Sequence, residues 1–212
     1  MKGISAIRKE YTKATLDEQS VDANPFKQFE EWFNNALTSE VLEPNAMNLA
    51  TISDGRPSSR IVLLKGVEAG KFVFYTNYQS QKGKELHENP ACALNFFWPE
   101  LERQVRIEGV ATRVDEKNSD EYFQSRPRES QLGAWASPQS TLIKDRSILE
   151  ARAKQLEEKH KSDKVIPRPK QWGGFAVAPH EIEFWQGRHS RLHDRIVYTL
   201  LDGKWQINRL AP

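Results

Sequence analysis

The chain has 212 residues, 38% hydrophobic and 28% charged, a balance that supports a sizeable core and excludes extensive disorder. Lys and Arg number 31 against 29 Asp and Glu, so the basic excess of a dedicated nucleic-acid binder is absent. Cys92 is the single cysteine, which excludes an intrachain disulfide and a cysteine-based metal centre, and residues 1–24 lack an apolar core; the expectation is a cytoplasmic protein with no membrane contact and no resident metal.

Residues 1–23 show little periodicity and read as an N-terminal arm, either mobile or laid over the fold. Order is expected from residue 24. Asn24 suits an N-cap, Pro25 suits the first helical position, and Phe26, Phe29, Trp32, Phe33, Ala36 and Leu37 recur on one helical face. Between residues 47 and 114 short apolar runs at 49–52, 61–64, 72–75, 91–97 and 105–114 alternate with turn pairs such as Asp54-Gly55 and Ala69-Gly70. This pattern predicts sequential antiparallel strands closing towards a barrel, interrupted by a helix over 80–88. Further along, a helix is predicted over 142–161, with Leu142, Leu149, Ala153 and Leu156 on one face, ended by a loop with Pro167 and Pro169. Strands follow at 175–178, 181–185, 195–200 and 204–208, the last two paired across Asp202-Gly203. The fold class is therefore mainly β with flanking helices, one domain over residues 24–212 with no internal repeat.

No dinucleotide fingerprint, Walker A sequence, H-E-x-x-H or G-x-S-x-G is present, so any nucleotide cofactor is held another way. Arg60 and Lys65 flank four aliphatics, and an offset of five puts them on opposite strand faces, roughly 17 Å apart. Taken alone, that segment favours ordinary solvated strand ends. The stretch 75–82 runs from a strand into a helix start, where Ser80, Lys82 and free N–H groups suit a phosphate; a simple serine cap explains it equally well. Tyr122, Arg126 and Ser130 recur every four residues, and a helical turn or two would align them as an anion clamp; Pro127 weakens a continuous helix, and an ordinary solvated helix face is the alternative. In an extended backbone Arg191, His193 and Arg195 would share a face and repel one another unless an anion sat among them. An exposed strand with Asp194 offsetting the charge stands level with that reading. His189 and His193 lack the helix and carboxylate of a zinc motif, and His87, His160 and His180 read as lone surface histidines. Trp98, Trp135, Trp172 and Trp185 read as core before cofactor platform.

From Arg8 to Pro212 these segments resemble the pyridoxamine 5'-phosphate oxidase family. The family signature is matched by the run from Glu183 to Arg195. Arg60 to Lys65, Leu101 to Val105, Ser125 to Arg128, Trp172 to Phe175 and Arg209 to Pro212 follow in the expected order. The resemblance implies a split β-barrel homodimer with flavin mononucleotide (FMN) in clefts between subunits. It carries over FMN contacts to Arg60, Ile61, Val62, Leu63, Leu64, Lys65, Tyr75, Thr76, Lys82, Gln104, Gln139, Ser140, Trp185 and Arg195. Substrate contacts carry over to Lys65, Tyr122, Arg126 and Ser130 around a phosphate, and to Arg191, Leu192 and His193 near a pyridine ring, with Arg191 and His193 as the catalytic pair. Arg8, Lys9, Glu10 and Tyr11 carry over as an active-site lid. Gln81 stands at a flavin-contacting position where the family usually has arginine; it keeps a hydrogen bond but loses the charge and the bidentate fork. The implied reaction oxidises pyridoxamine and pyridoxine 5'-phosphates to the aldehyde with O2 as acceptor. A non-catalytic flavin or pyridoxal-phosphate carrier, and a flavin reductase on the same barrel, are the competing expectations.

Overall fold

The computed structural model describes residues 3–6 and 10–212. Helix α1 (Pro25–Thr38) begins where capping chemistry places it: the Asn24 side chain accepts the Phe26 N–H at 2.9 Å, and proline occupies the first turn. Phe29, Trp32 and Ala36 are buried, whereas Leu37, expected on the same face, is half exposed.

Nine strands form one antiparallel sheet among the described residues. They are β1 (Ala46–Ser53), β2 (Arg56–Leu63), β3 (Gly66–Glu68), β4 (Lys71–Asn77), β5 (Ala91–Trp98), β6 (Arg103–Arg113), β7 (Trp172–Gln186), β8 (Asp194–Leu201) and β9 (Lys204–Arg209). Their order is β2-β1-β5-β6-β7-β4-β3, with β8 also on β7 and β9 on β8. β7 is the fork of this sheet: residues 172–177 pair with β4, residues 181–186 pair with β8, and both parts pair with β6. The sequence pattern predicts two strands here, and the structure has one. Gly109 pairs with Pro179 and Glu108 with Glu181, so His180 is the extra residue of a bulge in β7, next to the proline that cannot donate to a ladder. Gly109 permits the close approach, since a Cβ there would lie 2.4 Å from the Ala178 carbonyl oxygen.

Alternation along the strands sends Leu49, Leu94, Phe96, Ile107, Phe184 and Tyr198 to one core. Helix α1 closes that core: Phe29 meets Phe72 edge-on at 5.0 Å, and Trp32 meets Phe184 at 5.2 Å. Each such ring contributes about 1.5–3 kcal/mol by leaving water. The other sheet face carries Ile61, Phe97 and Val110, all substantially exposed.

Four further helices position side chains around the sheet: α2 (Gln81–Glu88), α3 (Glu116–Ser125), α4 (Arg128–Ala136) and α5 (Ser147–Lys159). Phe123, Leu132, Ile166 and Trp172 make a second, smaller core beneath α3 and α4. α5 is shorter than the expected 142–161. Leu142 is fully exposed, the Asp145 carboxylate turns the chain by accepting the Ser147 N–H at 2.9 Å, and no α5 residue is buried. His160, expected at the surface, is buried at the end of α5. Its Nδ1 lies 2.8 Å from the Asp163 carboxylate, and its carbonyl accepts from Arg128. His87 and His180 are exposed as expected.

Candidate functional site

A cleft of about 770 Å³ opens where β2, β4, α2 and the α3–α4 corner converge. Lys65 reaches it from the end of β2, and its side of the strand is shared by Ile61 and Leu63. Leu64 is buried in the core, and Arg60 turns away with it, as their even offset requires. Arg60 instead meets the buried Glu85 carboxylate at 2.8 Å and donates to Thr51 and Ser58. Gln81 joins the same cluster, its side-chain amide donating to Glu85 at 2.9 Å. Burial pushes the Glu85 carboxyl up, but hydrogen bonds from Thr51, Gln81, Ser58 and Arg60 outweigh it and hold the group at about 2.

Lys82 lines the cleft from the first turn of α2, with its pKa lowered by burial and by the charge of Arg60. The Ser80 side chain caps that helix by accepting the Gly83 N–H. Tyr75 and Tyr122 stack at 3.9 Å, and Tyr75 stacks on Trp172 at 5.4 Å, so the cleft has an aromatic wall. Burial raises the Tyr75 hydroxyl to about 12, which keeps it neutral. Thr76 donates to Gln139 at 3.2 Å on the same side, while Ser140 is exposed outside the lining with a left-handed φ of 67°.

Tyr122, Arg126 and Ser130 all line the cleft, but not from one helix. α3 ends at Ser125, Arg126 is its extended C-cap, and α4 starts after Pro127. The Gln131 side chain fixes the corner by donating to the Arg126 and Gln124 carbonyls at 2.9 and 3.2 Å. The Arg126 guanidinium lies 4.6 Å over Trp172, and its Nη1 is buried with no hydrogen-bond partner. Burial lowers its pKa without neutralising it. A buried guanidinium nitrogen without a partner is costly, and an anion offsets that cost. Ser137, which also lines the cleft, was not singled out from sequence: it follows α4 with no spacing signal.

A second group lies at the other end of β7. Gln104, Trp185 and Arg195 face one another across β6, β7 and β8 in register. Arg195 pairs with Glu183 at 2.7 Å, and His193 packs on Trp185 at 4.6 Å. The expected extended face through Arg191, His193 and Arg195 does not form. Residues His189–Arg191 make a 3-10 turn, and Ser190 and Arg191 are left-handed with φ of 55° and 61°. The Arg188 backbone N–H donates to His193 Nδ1 at 3.1 Å, so the neutral ring carries its proton on Nε2. Burial and the neighbouring Arg191 charge lower the His193 pKa, which favours that neutral form. Arg191 and Leu192 are exposed. The Tyr11 ring stands edge-on to Trp185 at 5.7 Å and to His193 at 5.9 Å, and Glu10 lies 2.8 Å from His189. Arg8 and Lys9 lie outside the described residues.

One chain keeps the two groups apart. Ile61 pairs with Asn48, Asn48 with Asn95, Asn95 with Arg106 and Arg106 with Glu183, and Leu63 and Trp185 lie two residues further along the outer strands of that row. Four strand spacings separate Leu63 from Trp185, roughly 19 Å across the exposed face. No group of three His, Cys, Asp or Glu side chains suited to a metal occurs among the described residues, and no helix is long and apolar enough to cross a membrane.

Comparison with known proteins agrees along the whole chain. Residues 33–160 match the family model described as pyridoxamine 5'-phosphate oxidase, and residues 172–212 match the pyridoxine 5'-phosphate oxidase C-terminal dimerisation region. The chain is 55% identical over 211 residues to a pyridoxine/pyridoxamine 5'-phosphate oxidase of Trichormus variabilis, covering 99% of this chain and 98% of that protein. It is 57% identical to the protein of that name from Chromobacterium violaceum, with the same coverage. Among solved structures, PhzG from Burkholderia lata 383, in complex with tetrahydrophenazine-1-carboxylic acid, is 31% identical with a TM-score of 0.87, covering 93% of this chain and 98% of that one. A pyridoxamine 5'-phosphate oxidase-related, FMN binding protein from Nostoc punctiforme has a TM-score of 0.71 at 18% identity, over 89% of this chain and 98% of its own, a likeness of fold.

Proposed function

The chain belongs to the pyridoxamine 5'-phosphate oxidase family of split-barrel oxidoreductases, and from that premise we propose that it oxidises pyridoxine and pyridoxamine 5'-phosphates to pyridoxal 5'-phosphate with FMN as cofactor. The observation that carries the reading is Arg126. Its buried, unpartnered Nη1 lies in a cleft that also holds Lys65, Tyr122 and Ser130, a donor set suited to a phosphomonoester.

The residues present also fit a flavin. Tyr75, Thr76, Lys82 and Gln139 line the same cleft, with Lys82 at a helix N-terminus. When bound, FMN would supply the acceptor for a hydride from the substrate C4' carbon, with O2 as the final acceptor giving H2O2. The protein's own contribution is positional and electrostatic. Lys65, Arg126 and Ser130 anchor the substrate phosphate. His193, held neutral, offers Nε2–H as a donor beside the reacting substituent, and Arg191 covers the ring. With the amine substrate the resulting imine hydrolyses to aldehyde and ammonia.

The separation of the two residue groups favours a homodimer. Gln104, Trp185, Arg191, His193 and Arg195 of one copy complete the cleft of the other, across the face that bears Ile61 and Phe97. The match of residues 172–212 to a dimerisation region supports the same assembly. A cytoplasmic location accords with a single half-buried cysteine.

Purified protein tests the reading. Flavin is measured by visible absorbance, then pyridoxine 5'-phosphate is supplied in air while aldehyde and peroxide are followed. Both products are expected. Bound flavin with no aldehyde would leave a carrier in place of an oxidase.

A further inference from the structure

Residues 10–22 cross the end of the sheet as a strap held at three anchors. The Thr12 and Lys13 N–H groups donate to Glu102 Oε2 at 2.8 and 3.0 Å, and that carboxylate belongs to a buried residue. The Leu16 N–H donates to Asp194 Oδ2 at 3.1 Å, with the Leu16 side chain in the core. Farther along, the Tyr198 hydroxyl donates to the Asp22 carbonyl at 2.7 Å.

Arg209 on β9 locks the middle anchor. Its guanidinium makes two bonds of 2.7 Å to Glu18, one of 2.8 Å to Asp194 Oδ1 and one of 3.0 Å to the Leu16 carbonyl. Asp194 Oδ2 takes another bond, 2.8 Å, from Arg188 Nη1, and the backbone N–H of Arg188 is the group that holds His193. One carboxylate therefore ties the strap to both ends of the loop carrying Arg191 and His193. A single exposed ion pair would add little. Four bonds on one planar guanidinium, shared with carboxylates fixed from other sides, act as a network. Burial raises the Asp194 carboxyl, but bonds from Leu16, Arg209 and Arg188 outweigh it; Glu18 is held at about 2 by its bond from Arg209. The network thus stays charged through the neutral range.

Its consequence appears at Tyr11, five residues before Leu16. The ring lies over Gly187, where a Cβ would come within 2.6 Å of Tyr11 Cγ, and it abuts Trp185 and His193. We propose that Arg209 and Asp194 are positioning residues for the reaction: they latch the strap so that Tyr11 closes over Trp185 and His193 and walls the ring-binding side. The proposal rests on the functional reading above. Neither residue needs to touch flavin or substrate, and the left-handed Ser190 and Arg191, which non-glycine residues resist, give the loop a reason to need an external clamp.

A double-mutant cycle on the flavin-loaded protein tests the latch. Arg209→Gln is expected to raise KM for pyridoxine 5'-phosphate about tenfold with flavin retained and kcat changed less than about twofold, as for a misplaced wall. In a Tyr11→Ala background the same substitution should change KM less than about twofold. Equal rises in both backgrounds would overturn the proposal. Amide exchange supplies a readout free of turnover: the Thr12, Lys13 and Leu16 amides should exchange faster in Arg209→Gln while β6 and β7 are unchanged. Unchanged exchange at those three amides also overturns it. Glu18→Gln, which leaves Arg209 paired with Asp194, should show smaller effects of the same kind and serves if Arg209→Gln folds poorly. Faster exchange in a protein whose unmodified form never oxidises the substrate would sink the functional reading and leave the latch standing.

Discussion

Arg126 and Gln81 show how far single residues can be read. The spacing of Tyr122, Arg126 and Ser130 pointed to an anion clamp, and all three do line one cleft, though through a proline corner instead of a helix. For Gln81 the sequence exposed a missing charge but not its substitute partner. Its amide serves Glu85, a buried carboxylate with no motif to announce it. The strap contacts of Asp194 and Glu102 have no sequence signal for the same reason: their partners lie 178 and 90 positions away in the chain, at Leu16 and Thr12. Gln81→Arg restores a cation beside Lys82, so FMN should bind more tightly by about 1 kcal/mol, roughly fivefold in Kd. Flavin titration of the apoprotein checks this, and an unchanged Kd would mean that Glu85 absorbs the new charge.

Elements were legible wherever local chemistry decides them. The cap at Asn24 and the alternation in β1, β5 and β6 needed no long-range information. Errors fell where a distant partner rules. β7 runs through Pro179 because it bulges at His180 against β6, and α5 starts late because nothing packs on Leu142. Helix α2 is joined to β1 and β2 by Glu85, which receives Thr51, Ser58, Gln81 and Arg60. Removing one partner of a buried pair strands the other charge, so Glu85→Ala should cost about 3–5 kcal/mol, measurable by urea unfolding. The pH dependence has a definite sign. With its carboxyl at about 2 against an ordinary 4.5, Glu85 contributes fully above pH 4.5 and loses that contribution as pH falls through 2. Acid titration of the Glu85→Ala variant should therefore show a shallower loss of stability across that interval than the unmodified protein.

At the scale of the whole molecule, composition and strand pattern gave the fold class, yet they could not say that the site residues divide into two groups. That division follows from the pairing order β2-β1-β5-β6-β7, which sets Leu63 and Trp185 on one face but four strands apart. Phe97 lies between them, half exposed. Phe97→Asp should split the homodimer and weaken flavin binding while leaving each chain folded. Sedimentation and circular dichroism together report this; a variant that remains dimeric with full flavin would remove this face from the interface.

A site shared between two chains, as proposed, is tested most directly by complementation. Arg126→Ala disables the cleft group and Arg191→Ala the group at the far end of β7, so each homodimer should be nearly inactive with pyridoxine 5'-phosphate. Co-expressed in equal amounts, half of the dimers carry one chain of each kind, and each of those regains one intact site of two. Activity should then recover to about a quarter of the unmodified enzyme. Recovery no greater than the two parents alone would contradict a site built from two chains.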